Sequence, residues 1–267
     1  MKKILSILLV TTILIVPTFF LTGCGKNNDP TVIHIGASSN PHAIILEQVR
    51  DDLRDRGFQL QVTVFSDWTQ QNPALARGDI LANYFQHRPF LNNWNAQSGN
   101  NLTYAAGIHF EPLGIFPGQR NSIAALQPGD QIIFPNDTTN AARALTLLEY
   151  HGLVTWNAAA NADRSNPANW SSQFTLTPVL AATLVATRPD SGIAVINGNW
   201  AAPAGLLPYR LVYETAAQGS EFTNIIAIRD GYENDARITA LVEVLQTNRI
   251  RDFILNNWDG AIQPNFI

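Results

Sequence analysis

The sequence has a single cysteine in 267 residues, and that residue, Cys24, lies near the N-terminus. One thiol excludes disulfides within the chain, so the folded protein must be held together by its hydrophobic core. Charged residues are also scarce, at 14 % of the chain, and the net charge is -4. Because nucleic-acid-binding proteins need clustered Lys and Arg, this charge balance argues against a nucleic-acid partner.

The sequence also lacks the short motifs that mark common catalytic sites. It contains no Gly-rich phosphate loop, no HExxH pair and no GxSxG elbow. Since nothing pairs a nucleophile with a base, we expect neither an enzyme nor a cofactor. A zinc site assembled from distant strands stays open as an alternative. The histidines that could contribute to it are spread along the chain, at His34, His42, His87, His109 and His151.

The N-terminal segment has the organisation of a bacterial secretory signal. Lys2 and Lys3 precede an apolar run over residues 4–21, and two small residues precede Cys24. A cysteine at this position is typical of a lipobox, in which the thiol is lipidated and the signal is cut before it. We predict a lipoprotein signal peptide over 1–23, then lipidated Cys24 and a flexible tether over 24–30. An uncleaved membrane anchor is the alternative.

After this leader, strand-like and helix-like segments alternate. Residues 31–36 predict a strand, Asn40 and Pro41 predict the cap and first residue of a helix that continues over 43–56, and residues 58–65 predict a second strand. A strand, a helix and a strand in this order predict a parallel sheet.

The rest of the chain continues the alternation. A helix is predicted over 143–150, and a broad apolar stripe predicts one long helix over 235–258. Short apolar runs predict further strands at 80–84, 131–134, 192–196 and 224–228. We therefore predict an α/β fold of two lobes between which the chain crosses twice. Lobe 1 is predicted over 31–112 and 225–267, and lobe 2 over 113–224.

Polar and aromatic residues cluster at the ends of these predicted strands, where ligands bind in open α/β sheets. The clusters lie at 83–87, 135–143, 197–200 and Asn224. Each cluster alone is also compatible with a turn or a surface helix. Together they predict a binding site for a small ligand.

Six segments of the chain carry a resemblance to one family. They are GASSNPHAIILEQV at 36–49, LANYFQHRPFL at 81–91, GIHFEPLGIF at 107–116, FPNDTTNAARALTLLE at 134–149, AVINGNWA at 194–201 and TNIIAIR at 223–229. In this order they resemble the methionine-binding lipoproteins, also called the NlpA family, which are the extracytoplasmic binding components of methionine ABC importers. The resemblance implies a periplasmic-binding-protein fold, type II-like, with two α/β lobes joined by two crossing strands around a ligand cleft.

The resemblance also implies contacts to the polar end of the ligand. Arg143 would form a bidentate ion pair with the α-carboxylate, for which a planar guanidinium is better suited than Lys. Asn197 and Asn224 would offer amide oxygens to the α-ammonium group, with Asn140 supporting this end of the site.

The slot for the thioether would be lined by Trp68, Phe85 and His87, since sulfur packs favourably against aromatic rings. The sequence departs from the family here, because Trp68 and Trp200 stand where Tyr is usual. Residues 173–189 also match the family poorly. The motifs therefore predict recognition of an amino-acid backbone more directly than recognition of the methionine side chain.

The sequence thus predicts a monomeric, lipid-anchored solute-binding protein on the extracytoplasmic face of a membrane. It would capture L-methionine, D-methionine or a methionine-containing dipeptide and deliver it to an ABC permease and its ATPase. Three alternatives stay open. They are a binding lipoprotein for another amino acid or short peptide, a metal-binding lipoprotein, and a surface interaction protein whose pocket has lost its ligand.

Overall fold

The computed structural model describes residues 29–215 and 221–267. The predicted signal peptide, Cys24 and most of the predicted tether lie outside the described residues, so the lipid anchor stays a prediction. Among the residues that are described, no helix combines the length and the apolar character needed to cross a membrane.

Short strands and helices alternate along the described chain. The strands are β1 (Val32–Ala37), β2 (Gln59–Val64), β3 (Ala82–His87), β4 (Thr103–Phe110), β5 (Gly114–Pro117), β6 (Gln131–Pro135), β7 (Thr155–Trp156), β8 (Trp170–Ser171), β9 (Thr175–Val179), β10 (Ile193–Ile196), β11 (Val212–Tyr213), β12 (Thr223–Ile228) and β13 (Gln263–Pro264). The helices are α1 (Ile44–Glu47), α2 (Arg50–Asp55), α3 (Gln71–Arg77), α4 (Arg88–Ser98), α5 (Thr138–Tyr150), α6 (Leu184–Thr187), α7 (Gly198–Ala201), α8 (Ala236–Leu245) and α9 (Asn248–Asn257).

The strands form two main sheets, which define the two lobes. Lobe 1 contains the sheet of order β13-β4-β12-β3-β1-β2, and lobe 2 contains the sheet of order β11-β5-β10-β6-β9. The chain leaves the first sheet after β4, builds the second from β5 to β11, and returns at β12. The α/β fold of two lobes with two crossings is therefore confirmed. The strand membership supports the predicted lobe boundaries at residues 112 and 224, which we keep as a proposal.

The sheet of lobe 1 is mixed, not parallel throughout. Strand β1 pairs in parallel with β2 and β3, as the predicted strand-helix-strand order requires. Strand β12 is antiparallel to both of its neighbours, β3 and β4. The expectation of a parallel sheet is wrong for this part, because β12 arrives from the other lobe and not through a crossover helix.

Two strands lie at the centre of the lobes and are buried at every position. They are β12 in lobe 1 and β10 in lobe 2. Both segments are apolar on both faces, which is the pattern of a strand covered from two sides. The prediction of buried strands near 192–196 and 224–228 is confirmed.

The helix predicted over 43–56 is divided into α1 and α2. The helical geometry is interrupted at Val49, where φ is -106° and ψ is 5°. Asn40 has an extended backbone and does not cap the helix. Its side-chain oxygen instead accepts a hydrogen bond of 3.0 Å from the indole N–H of Trp258. The predicted cap is therefore wrong, since the Asn40 side chain is used in a long-range contact.

The final helix predicted over 235–258 is also divided, into α8 and α9. Thr247 has an extended backbone, and its hydroxyl accepts a hydrogen bond of 3.4 Å from the N–H of Ile250, which starts a new helix. Apolar residues of both helices, such as Leu241 and Ile254, pack into the same core of lobe 1. The apolar stripe therefore runs across the break, and the hydrophobic pattern does not reveal it.

Gly118 follows β5 at a point where two backbone segments come close together, and this position yields a test of the fold. A Cβ atom there would overlap the carbonyl oxygen of Ser191 and lie 2.6 Å from that of Arg188. Backbone atoms cannot rotate away, so we expect Gly118→Ala to lower the free energy of unfolding by about 1–3 kcal/mol.

Urea denaturation followed by circular dichroism measures this difference. Gly198→Ala is the control, because the nearest atoms to a Cβ atom at Gly198 are 3.4 Å away, an ordinary contact distance. A Gly118→Ala protein as stable as the Gly198→Ala protein would contradict the close approach.

Candidate ligand-binding site

A small cavity lies where the two lobes and the crossing segments meet. It is lined by Trp68, Phe85, Gln86, His87, Phe90, Glu111, Asn140, Arg143, Asn197, Asn199 and Asn224. All seven residues that the sequence predicts as ligand contacts are among them, and their contact with a ligand stays a prediction. The cavity volume is about 20 Å³, which is room for about one water molecule. An amino acid can enter only if side chains or lobes move apart.

The site is assembled from the ends of strands that are adjacent in each sheet. Phe85 and His87 lie at the carboxyl end of β3, and Asn224 of β12 is directly opposite His87 in the antiparallel register. In lobe 2, Asn197 follows β10 and Arg143 lies on α5, which follows β6. The topology therefore brings together residues that are far apart in the sequence, as expected for a ligand site in an α/β sheet.

Arg143 is the buried cation of the site, and it is already paired with a carboxylate of this chain. Its Nε atom donates to both carboxylate oxygens of Glu214, at 3.0 and 2.9 Å, and its Nη2 atom also donates to Oε2. The Nη2 atom donates to the backbone carbonyl of Glu111 as well, at 2.7 Å. The ring of Phe222 covers the guanidinium, 4.3 Å from its central carbon.

Asn140 organises the polar side of the cavity. Its Oδ1 atom accepts hydrogen bonds from Nδ2 of Asn197, at 3.0 Å, and from Nε2 of His87, at 3.3 Å. Its own Nδ2 atom donates to Asp137. The amide of Asn140 therefore supports its neighbours. In contrast, the Oδ1 atom of Asn197 is buried and has no hydrogen-bond partner among the described residues.

An unpaired buried acceptor is unfavourable, because the group has lost its water without gaining another donor. Asn197 lines the cavity together with Arg143. A ligand with an N–H donor would remove this cost. The site thus offers a cation for an anionic group and, beside it, an acceptor for a donor group.

Asn224 is held in place by a second buried network. Its Oδ1 atom accepts a hydrogen bond of 2.9 Å from Nε2 of His42. The same nitrogen lies 3.4 Å from Oε1 of Glu111, which also accepts a hydrogen bond of 2.8 Å from Nε2 of His109. The other carboxylate oxygen of Glu111 accepts from the backbone N–H of Asn199, at 2.9 Å. The network therefore links both lobes through the first crossing segment.

The sequence does not predict Glu111 or Glu214 as site residues. Glu111 lies two residues after His109, a spacing that places two side chains on the same face of an extended chain. That spacing and its position inside the family-like segment 107–116 are the signals for Glu111 in the sequence. Glu214 lies next to a short strand and is surrounded by neither a motif nor a periodic pattern.

Burial keeps the histidines of the site neutral. It lowers the pKa of His42 to about 4 and the pKa of His109 to about 3. The pKa of His87 is lowered to about 3 by burial and, secondarily, by the nearby charge of Arg143. Burial also raises the pKa of the Glu111 carboxyl. Neutral histidines act as directional hydrogen-bond donors, which suits them to positioning neighbouring side chains.

The metal-binding alternative depends, within the described part of the chain, on His42, His109 and Glu111. Their ligand atoms lie within 4.8 Å of one another, and histidine and carboxylate ligands suit zinc. However, the Nε2 atoms of both histidines already donate hydrogen bonds to oxygen acceptors. A metal ion bound through these two Nε2 atoms would have to displace both protons and the bond to Asn224. The geometry therefore favours a hydrogen-bond network over a metal site.

Aromatic side chains form the apolar wall of the cavity. Trp68 of lobe 1 packs against Trp200 of lobe 2, with ring centroids 5.6 Å apart, and edge-on against Phe90 at 6.2 Å. The indole N–H groups of Trp68 and Trp200 are buried and have no acceptor among the described residues. Val179 and Val185, from the divergent segment 173–189, pack into the cluster that contains both tryptophans. None of the residues lining the cavity comes from this segment.

Two α/β lobes joined by crossing segments, with a polar cavity at the crossing, are the architecture of the periplasmic-binding-protein fold. The model of the NlpA lipoprotein family matches residues 33–266, and the chain therefore belongs to this family. The predicted resemblance is confirmed, and it concerns a family of binding lipoproteins rather than of enzymes.

Three relatives illustrate the similarity. The methionine-binding lipoprotein MetQ of Bacillus subtilis is 33% identical over 277 residues, which cover 99% of each chain. A nutrient-binding protein from Burkholderia cenocepacia, solved bound to methionine, is 28% identical with a TM-score of 0.80, covering 88% of this chain and 100% of the other. An ABC transporter periplasmic substrate-binding protein from Coxiella burnetii is also 28% identical with a TM-score of 0.80, covering 87% and 99%.

The buried histidines predict that the protein loses stability in mild acid. Below pH 6.5 the unfolded chain binds protons on His42, His87 and His109, whereas the folded protein binds them only below about pH 4 or 3. The free energy of unfolding therefore falls as the pH falls from 6.5, by up to about 1.4 kcal/mol per pH unit for each histidine. The raised pKa of Glu111 acts in the opposite direction, but it is one group against three.

Urea denaturation between pH 7 and pH 5 measures this slope. His87→Asn should reduce the slope by the share of one histidine, because asparagine takes up no proton in this range. A free energy of unfolding that is constant or increases from pH 7 to pH 5 would show that the histidines are not buried in their neutral form.

Proposed function

We propose that this protein is a lipid-anchored solute-binding protein that binds methionine outside the cytoplasm and delivers it to the permease of an ABC transporter. The observation that carries the proposal is the cavity in which the buried Arg143, the unpartnered oxygen of Asn197 and an aromatic wall meet. A free amino acid with an apolar side chain has the three complementary groups, which are a carboxylate, an ammonium group and the side chain itself.

The proposed pose follows from these groups. The α-carboxylate pairs with the guanidinium of Arg143, whose planar shape matches two carboxylate oxygens. The α-ammonium group donates to Oδ1 of Asn197 and to the remaining lone pair of Oδ1 of Asn224. The thioether lies against Trp68 and Phe85, where sulfur-aromatic contacts contribute up to about 1.5 kcal/mol each.

The relatives support this assignment of ligand and partner. The Burkholderia protein contains methionine, the Bacillus protein is named for methionine binding, and the Coxiella protein is described as part of an ABC transporter. The lipid on Cys24 would keep the protein near its permease, which raises the effective concentration without any new contact.

Binding requires the lobes to open and close. The cavity is lined from both lobes and holds about one water molecule, so ligand entry needs a wider state than the one described. Closure around the ligand would bury it between the lobes, as in other hinged binding proteins. Release at the permease would require the same opening.

A second ligand class is favoured by the buried indole N–H group of Trp68, which lines the cavity and has no acceptor among the described residues. A thioether is only a weak acceptor, whereas an amide or another oxygen-bearing side chain would pair with an indole N–H. An amino acid such as glutamine is therefore the alternative ligand for the same backbone-binding groups.

Isothermal titration calorimetry on the full-length protein in detergent tests the ligand. The protein is first unfolded and refolded to remove any bound ligand, and it is then titrated with L-methionine, D-methionine, norleucine and glutamine. We expect binding of methionine that is tighter than binding of norleucine, because norleucine has the same shape but no sulfur. Binding of glutamine without binding of millimolar methionine would favour the alternative ligand.

Arg143 provides a test of the carboxylate contact. We expect Arg143→Lys to weaken methionine binding by about 100-fold, or about 3 kcal/mol, because Lys keeps the charge but loses the bidentate geometry. Arg164→Lys is the matched control, since Arg164 pairs with Glu149 and stacks on Trp156 and Trp170, outside the cavity. Unchanged affinity of the Arg143→Lys protein would place the carboxylate elsewhere.

A further inference from the structure

Glu214 contacts Arg143 in the way that a ligand carboxylate is expected to. Its two oxygens accept from Nε and Nη2 along one edge of the guanidinium, which is a bidentate ion pair. Oε2 also accepts from the backbone N–H of Leu113 in the first crossing segment, at 3.2 Å. Glu214 itself lies just after β11, where the chain begins its return to lobe 1.

The two partners differ in how easily they can leave this contact. The Arg143 side chain is 3 % exposed and the Glu214 side chain is 19 % exposed. Glu214 also lines an open groove together with Thr138, Thr139 and Thr215. The carboxylate can therefore move towards the solvent of this groove, whereas the guanidinium cannot leave the interior without losing its burial.

Arg143 has little capacity for a second carboxylate while Glu214 stays in place. The Nη2 atom also donates a hydrogen bond to the carbonyl of Glu111, and the ring of Phe222 covers one face of the guanidinium. Only Nη1 makes no hydrogen bond among the described residues. Two carboxylates on one buried guanidinium would also leave an excess negative charge, and two carboxylates bound to the same guanidinium repel each other strongly.

We infer that Glu214 is an internal competitor for Arg143, which a ligand carboxylate must displace in order to bind. Glu214 thereby determines affinity and specificity: it keeps the buried cation paired in the absence of ligand, and it excludes anions that cannot outcompete it. This inference rests on the proposed function, because it takes an amino-acid carboxylate as the displacing group.

Glu214→Gln tests the competition, because glutamine has the same shape but cannot form the ion pair. Calorimetry on the full-length protein in detergent compares L-methionine with L-methioninamide, which lacks the carboxylate. We expect Glu214→Gln to bind methionine at least about tenfold more tightly than the unaltered protein does. The affinity for methioninamide should not increase.

Glu221→Gln is the matched control. Glu221 is an exposed carboxylate on the rim of the same groove, so the substitution removes the same charge from the same region. We expect it to change the affinity for methionine by less than threefold. An equal gain in the Glu221→Gln and Glu214→Gln proteins would overturn the inference, since it would show only a general charge effect.

The remaining outcomes separate the inference from the proposed function. Unchanged or weaker methionine binding by Glu214→Gln would overturn the inference while leaving methionine as the ligand. Binding of methionine by Glu214→Gln but not by the unaltered protein would support the inference and overturn the proposed function. Binding by neither protein would overturn both. If Glu214→Gln does not fold, Glu214→Asp replaces it, because the shorter side chain weakens the same ion pair and should also tighten methionine binding.

Discussion

A positive charge buried between the two lobes is the constraint on which the rest of the site depends. A guanidinium removed from water is stable only when carboxylates, carbonyls or aromatic rings surround it. Three close partners of Arg143 are the carboxylate of Glu214, the carbonyl of Glu111 and the ring of Phe222. All three lie in the segments through which the chain passes from one lobe to the other. The buried charge and the crossing segments are therefore held by the same contacts.

The network around Glu111 gives the first crossing segment a fixed position between the lobes. His42 belongs to lobe 1, His109 lies at the end of β4, and Asn199 belongs to lobe 2, and each of them contacts the Glu111 carboxylate. Because burial keeps the histidines neutral, each ring has one donor nitrogen and a defined orientation. The same network orients Asn224 towards the cavity. The first crossing segment is therefore held by hydrogen bonds to specific partners and is not a loose linker.

The sequence predicts the strands better than it predicts the helices or their joints. Buried strands such as β10 and β12 can be predicted because their residues are apolar on both faces of the strand. The breaks at Val49 and Thr247 do not interrupt the apolar stripe, because helices on both sides of each break pack into the same core. The mixed sheet could not be predicted from local pattern, since the direction of β12 depends on how the chain returns from the other lobe.

The residues of the candidate site also differ in how well the sequence predicts them. Residues such as Arg143 and Asn197 lie in motifs at the ends of strands and could be predicted together. Glu111 and Glu214 could not, because each is a lone carboxylate whose partners on other segments lie about 70 to 100 positions away. The pairing of Arg143 with Glu214 is thus a property of the tertiary structure alone.

The position of β12 determines the order in which the lobes can be completed during synthesis. This strand lies between β3 and β4, yet it is made after every strand of the lobe 2 sheet. While the ribosome is still making lobe 2, β4 has neither of its neighbours, β12 and β13, and one edge of β3 is unpaired. Open edges of this kind pair readily with other chains. The sheet of lobe 1 can therefore be completed only after the strands of lobe 2 have been made, and until then its unpaired edges are open to wrong pairing.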